Sequence, residues 1–127
     1  MARVDHAALY VADLEGAREF FVTYFGATAN EEYHNPRTGL RTYFLSFDGE
    51  GRVEIMNRPG VDVARAEGML GWGHVALNLG SREAVDELAA RLVADGFRVI
   101  NGPRVTGDGY YEAVVLDAEG NEVEVVG

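Results

Sequence analysis

Asp5-His6-Ala7-Ala8-Leu9-Tyr10-Val11 is echoed later in the chain by Gly73-His74-Val75-Ala76-Leu77-Asn78-Leu79. Each stretch has one histidine followed by small and apolar residues, the pattern of a short strand. The two histidines are 68 residues apart, a little over half of the 127-residue chain. Two copies of one strand at that offset point to an internal duplication.

The flanking features repeat as well. Asp13 follows His6 by seven residues and Ser81 follows His74 by seven. Both residue types cap helix N-termini, because a short side-chain oxygen accepts from a free N–H of the first turn. Behind Asp13, Leu14, Ala17, Phe21, Tyr24 and Phe25 fall at helical spacing; behind Ser81, so do Val85, Leu88, Ala89, Leu92 and Val93. Gly26 and Gly96 stand where a left-handed residue ends each helix. Each half closes on a strand with an isolated acid, Val53-Glu54-Ile55 and Val123-Glu124-Val125. The repeating unit is therefore a strand with a histidine, a helix, and several strands of which the last carries a glutamate.

Composition excludes several chemistries. The chain has no cysteine, hence no disulfide, thiolate nucleophile or cysteine metal cluster. It has no lysine, hence no lysine Schiff base, and only Ser46 and Ser81 as serines. A net charge of −10 disfavours nucleic acid and anionic membrane surfaces. No apolar run is long enough to span a bilayer, and the first residues lead straight into a strand pattern, so a cytoplasmic location is expected.

The expected order is a strand over 3–11, a helix over 14–25, a short strand over 27–33 and a turn over 34–39. A β-rich stretch over 40–47 and the acid-bearing strand 52–57 complete a first module, about 1–58. Residues 59–71 read as a linker with room for a short helical piece. The second module, about 72–127, repeats the plan: strand 72–79, helix 82–95, strand 97–100, a loop at 101–103, strand 110–116 and strand 121–126. On strand alternation, His74 shares a face with Trp72, Ala76 and Asn78, and His6 shares one with Val4, Ala8 and Tyr10. The other faces are apolar and suit helix packing. The expectation is an α+β domain of two βαβββ modules, a curved mixed-sheet cup with helices outside.

Imidazole nitrogen and carboxylate oxygen are ligands for Zn²⁺, Ni²⁺, Co²⁺, Mn²⁺ and Fe²⁺. Two neutral histidines and two glutamates neutralise a divalent ion, and strands hold ligands more accurately than loops. A strand histidine or glutamate taken singly is more often a hydrogen-bonded or solvated residue. The matched offsets of His6, Glu54, His74 and Glu124 favour a metal site. Tyr10, Trp72, Asn78, Tyr110 and Tyr111 are candidates for the cup lining, although packing is the commoner role of any one aromatic. Arg58, with Arg41 and Arg104, is a candidate for a substrate carboxylate or phosphate, and Glu112 for the cup wall.

Three stretches resemble the vicinal oxygen chelate superfamily, the group of glyoxalase I, fosfomycin-resistance thiol transferases, methylmalonyl-CoA epimerases, extradiol dioxygenases and bleomycin-binding proteins. They are Asp5-His6 before Leu14-Glu15-Gly16-Ala17-Arg18-Glu19-Phe20-Phe21, then Gly73-His74-Val75-Ala76-Leu77, and then Asp117-Ala118-Glu119-Gly120-Asn121-Glu122-Val123-Glu124. The last is similar to the family's Asp-Pro-Asp/Glu-Gly-x-x-(Ile/Val)-Glu ending and is the most specific. The resemblance implies two βαβββ modules around one divalent ion (Ni, Zn, Co or Mn) with His6, Glu54, His74 and Glu124 as ligands.

That four-ligand set resembles glyoxalase I, whereas dioxygenases and fosfomycin enzymes usually use three ligands. The implied activity is a lyase or isomerase of lactoylglutathione lyase type acting on a small molecule, such as a thiol adduct. Glu124 or Glu54 would be the base for proton transfer. A homodimer with shared sites is also implied. Two positions depart from the pattern. Tyr10 stands where an Arg is common, and Arg58 where an Asn is often found, so the resemblance does not extend to glutathione as the thiol partner. Two alternatives share the fold: a fosfomycin-type thiol transferase, and a metal-free drug-binding resistance protein.

Overall fold

A computed structural model describes residues 1–127, which divide into two compact units, 1–67 and 68–127. The first unit contains β1 (His6–Tyr10), α1 (Leu14–Phe25), β2 (Thr28–Ala29), β3 (Tyr33–His34), β4 (Arg41–Ser46) and β5 (Arg52–Asn57). The second contains β6 (His74–Asn78), α2 (Arg82–Ala94), β7 (Val99–Val105), β8 (Tyr111–Leu116) and β9 (Glu122–Val126). Each unit is one sheet with one helix, so the chain is α+β and built from two βαβββ modules.

The helices begin where the caps predict. Asp13 accepts from the Gly16 N–H at 2.9 Å, and Ser81 accepts from the Ala84 N–H at 3.1 Å. Gly26 closes α1 in the left-handed region at φ 64°, with the Ala27 N–H donating back to the Phe21 carbonyl. Leu14, Phe20 and Phe21 of α1 are buried with Tyr43, Leu45, Val53 and Ile55 of β4 and β5. In the second module Val85, Leu88, Ala89 and Leu92 of α2 are buried with Ala113, Val115, Val123 and Val125. A similar polar tie recurs in both modules. Tyr43 donates to Glu15 at 2.6 Å with Arg18 over its ring, and Tyr111 donates to Asp86 with Arg82 over its ring. The Tyr43 bond is the largest influence holding Glu15 below the ordinary carboxylate range.

The strand order is β1-β5-β4-β2 in the first sheet, with β3 also on β4, and β6-β9-β8-β7 in the second. In both, the first strand of the module runs parallel to the last, and the remaining pairs are antiparallel. The parallel registers match: Ala8 lies opposite Glu54, and Ala76 opposite Glu124.

Three expectations change. The strand expected over 27–33 is two two-residue pieces. At the break, Asn30 takes over the ladder itself: its backbone N–H donates to the Phe44 carbonyl, and its side-chain oxygen accepts from the Phe44 N–H at 2.8 Å. The loop expected at 101–103 lies inside β7, which passes Gly102 and Pro103 through two register shifts against β8. Residues 59–71 form turns and irregular backbone without a helix.

Gly102 has φ +74°, and a Cβ there would stand 2.5 Å from the Glu112 carbonyl oxygen. Gly49 has φ +89° with nothing within 4 Å of the same position. Both alanine variants lose about 1–2 kcal/mol to the left-handed backbone. Gly102→Ala is expected to lose more, because it also pushes β7 off β8. Urea unfolding of the two variants checks this. Ile55→Ala, at a fully buried site, is expected to lose about 2–5 kcal/mol in the same assay.

Candidate functional site: a histidine and a glutamate on each sheet

Side chains opposite one another in a ladder stand on one side of the sheet. His6, Ala8 and Tyr10 therefore share a face with Arg52, Glu54 and Met56 of β5, and with Phe44 of β4. His6 Nε2 is 3.8 Å from Glu54 Oε1. In the second module His74, Ala76 and Asn78 share a face with Glu122, Glu124 and Val126, and His74 Nε2 is 3.3 Å from Glu124 Oε2. Each glutamate lies two residues beyond the position directly opposite its histidine. On the histidine-bearing strand, the residue directly opposite the glutamate is an alanine in both modules. A larger side chain there would crowd the imidazole and carboxylate.

Both glutamate side chains are largely shielded, at 17% and 18% exposure, and the histidines are half open at 36% and 43%. The donor set fits a divalent transition-metal ion. Two donors about 2.1 Å from one ion lie roughly 3.0 Å apart at an octahedral angle and roughly 3.4 Å at a tetrahedral one. The His74–Glu124 separation falls in that range and the His6–Glu54 separation just above it. No group of three or more potential ligand side chains forms. Each module supplies a pair.

The surroundings of the two pairs differ. Beside His6, Asp5 Oδ2 is 2.7 Å from Nδ1 and also 2.6 Å from Arg52 Nη2. These two hydrogen bonds, His6 first, hold the Asp5 carboxyl below its usual range. Beside Glu124 stands Glu112 of β8. The Glu112 carboxyl is held above its usual range, first by a hydrogen bond with Glu124, then by burial and by the negative charge of Glu124. Arg104 of β7 approaches Glu112 to 3.9 Å and opposes that effect.

The other sequence candidates scatter. Tyr10 lies on the His6 face with the Arg58 guanidinium 5.6 Å above its ring, which brings two of them together. Asn78 lies on the His74 face, where its side-chain oxygen accepts from the Gly80 N–H at 2.7 Å and shapes the turn into α2. Trp72 is strongly exposed just before β6, and Tyr110 is exposed in the turn before β8. Tyr111 faces α2, bonded to Asp86, and is turned away from the His74 side. Sequence reasoning missed Asp5, Arg52 and Phe44. Alternation over the expected strand 3–11 puts Asp5 on the far face, but β1 begins only at His6. The signal was the Asp-His dipeptide, with Arg52 in register opposite His6.

Known proteins are similar to this chain in sequence or in fold. An uncharacterized Bacillus subtilis protein, YqjT, is 27% identical over 95% of each chain. The crystal structure of SMU.1112c superposes with a TM-score of 0.82 at 26% identity, covering 100% of this chain and 99% of that one. The trypanothione-dependent glyoxalase I of Leishmania major shares the fold, with a TM-score of 0.80 at 21% identity over 99% of this chain and 86% of that one. The sequence pattern of one family runs through residues 3–125, nearly the whole chain, and the two-module fold agrees with it. The chain belongs to the Glyoxalase/Bleomycin resistance protein/Dioxygenase superfamily.

Proposed function

We propose that the chain is a cytoplasmic, metal-dependent lyase or isomerase of glyoxalase type. The observation that supports this most is the repeated diagonal pair, His6 with Glu54 and His74 with Glu124, on the same side of equivalent strand pairs. A pair is too few protein ligands for a tight metal site, which normally takes three or four. Both pairs together make the neutral four-ligand set. In the proposal they hold one divalent ion, Ni²⁺, Zn²⁺, Co²⁺ or Mn²⁺, and a homodimer shares its sites between subunits.

A bound cation would acidify the substrate C–H next to a coordinated carbonyl and stabilise the charge that develops on oxygen. The chain's own residues do the rest. Glu124 removes the proton and returns it to the neighbouring carbon. Glu112 shares the face of Glu124 on the neighbouring strand, where its carboxyl is held above its usual range. Glu54 has His6 beside it and Phe44 opposite it in the ladder, which suits a ligand. Arg58, stacked on Tyr10, takes an anionic group of the substrate at the far end of the first face. The substrate is a small molecule with two adjacent oxygens, in the leading case a thiol adduct of an α-ketoaldehyde.

A metal-free binding role is the second reading, favoured by the exposed aromatics Tyr10, Trp72 and Tyr110. Titration with divalent metals separates the two. The enzyme reading expects His74→Ala and Glu124→Ala each to weaken metal binding by more than about tenfold. Uptake unchanged in both variants, or none in the parent protein, defeats it.

Kinetics supply two further expectations. Glu124→Gln retains metal but loses turnover by about 10²–10⁴-fold, the usual size of a general-base contribution. Arg58→Ala raises KM by about tenfold or more with kcat little changed, as expected for lost charge-assisted binding. A large fall in kcat for Arg58→Ala would remove it from the anion-binding role.

A further inference from the structure

The two histidines occupy matching positions but are held differently. Three side chains close a circuit with His6. Asp5 Oδ2 is 2.7 Å from His6 Nδ1 and 2.6 Å from Arg52 Nη2. The Arg52 guanidinium lies 4.6 Å above the Phe44 ring. That ring meets the His6 imidazole edge to face, 5.0 Å between centroids at 82°. The register builds this circuit: Arg52 is directly opposite His6, and Phe44 directly opposite Glu54. The matching positions in the second module are Gly73, Glu122 and Val114, which offer no carboxylate at the same distance, no guanidinium and no ring.

The circuit has a chemical consequence. An ionised carboxylate only accepts hydrogen bonds, so Nδ1 of a neutral His6 must carry the proton. Nε2 then presents its lone pair, and Nε2 is the atom turned toward Glu54. A free imidazole exchanges between two tautomers and rotates. Here Asp5 sets the tautomer, Phe44 sets the ring plane, and Arg52 holds both. As a source of stability the arrangement is weak, because Asp5 and Arg52 are exposed at 66% and 38% and an exposed ion pair contributes little. Its effect is orientational, as with the outer carboxylates that orient ligating histidines generally.

We propose that Asp5, Arg52 and Phe44 are positioning residues that hold His6 as a preorganised Nε2 metal ligand, while His74, without such a frame, adjusts as the ion is bound. This rests on the metal-site reading above. It makes the first module the fixed half of the site and the second the adaptable half.

The test begins without metal. Long-range ¹H–¹⁵N correlation of the histidine rings in metal-free protein, slightly above neutral pH, reads each tautomer directly. His6→Gln and His74→Gln variants assign the signals. The expected result is His6 with the proton on Nδ1 and His74 as the mixture of free histidine. Asp5→Ala should return His6 to that mixture, and Asp5→Asn, which keeps an acceptor, should preserve it. Zn²⁺ or Co²⁺ affinity should fall about 10–100-fold in Asp5→Ala and recover in part in Asp5→Asn.

A His6 tautomer like that of His74, or one unchanged in Asp5→Ala, overturns the frame whatever the metal data show. A tautomer that responds to Asp5→Ala with unaltered metal affinity overturns the positioning role. No metal uptake by the parent protein overturns the metal reading and this role with it, while the ring spectra still report on the frame.

Discussion

The parallel pairing of the first strand of each module with its last is the constraint on which the site depends. An antiparallel pair closes with a tight turn and brings sequence neighbours together. A parallel pair must be closed by a long excursion, here a helix and the intervening strands. That excursion lets His6 meet Glu54, and His74 meet Glu124, across about 50 residues of chain. The small alanines opposite both glutamates leave space above the ladder. The buried faces of the same strands, with Ile55 and Val125 fully covered, fix the register against a one-residue slip. Such a slip would turn both carboxylates into the helix.

The two modules agree on one side of their sheets and differ on the other. The helix-side ties stayed similar: a tyrosine bonded to a helix carboxylate under an arginine, Tyr43 with Glu15 and Tyr111 with Asp86. The open faces diverged. The first module surrounds its histidine with Asp5, Arg52 and Phe44 and carries the Arg58–Tyr10 stack. The second places Glu112 beside its glutamate, with Arg104 approaching Glu112. On the proposed function, binding and ligand placement belong mainly to the first face and proton handling to the second.

Much of this is legible in the sequence because it is written twice. Asp13 and Ser81, Gly26 and Gly96, and the two strand acids support one another in a way that no single motif does. The residues that escaped are those whose roles depend on phase or on contacts across the sheet. Tyr110 and Tyr111 are adjacent, and only the burial of Ala113 and Val115 decides which of them turns toward α2. Gly102 and Pro103 read as a loop, yet a bulged strand tolerates both. Asp5 reads as a far-face residue, yet it lies one position before β1, where alternation does not bind it. Asn30 reads as strand, yet its side chain replaces a ladder bond.

The central claim is that two histidines and two glutamates from the two faces hold one ion. Anomalous scattering from crystals of the Co²⁺-loaded protein tests it most directly. The account predicts one strong peak per site within bonding distance, about 2.0–2.2 Å, of the side chains of His6, Glu54, His74 and Glu124, whether from one chain or from two. A peak held by only one His–Glu pair, or by other side chains altogether, would contradict it.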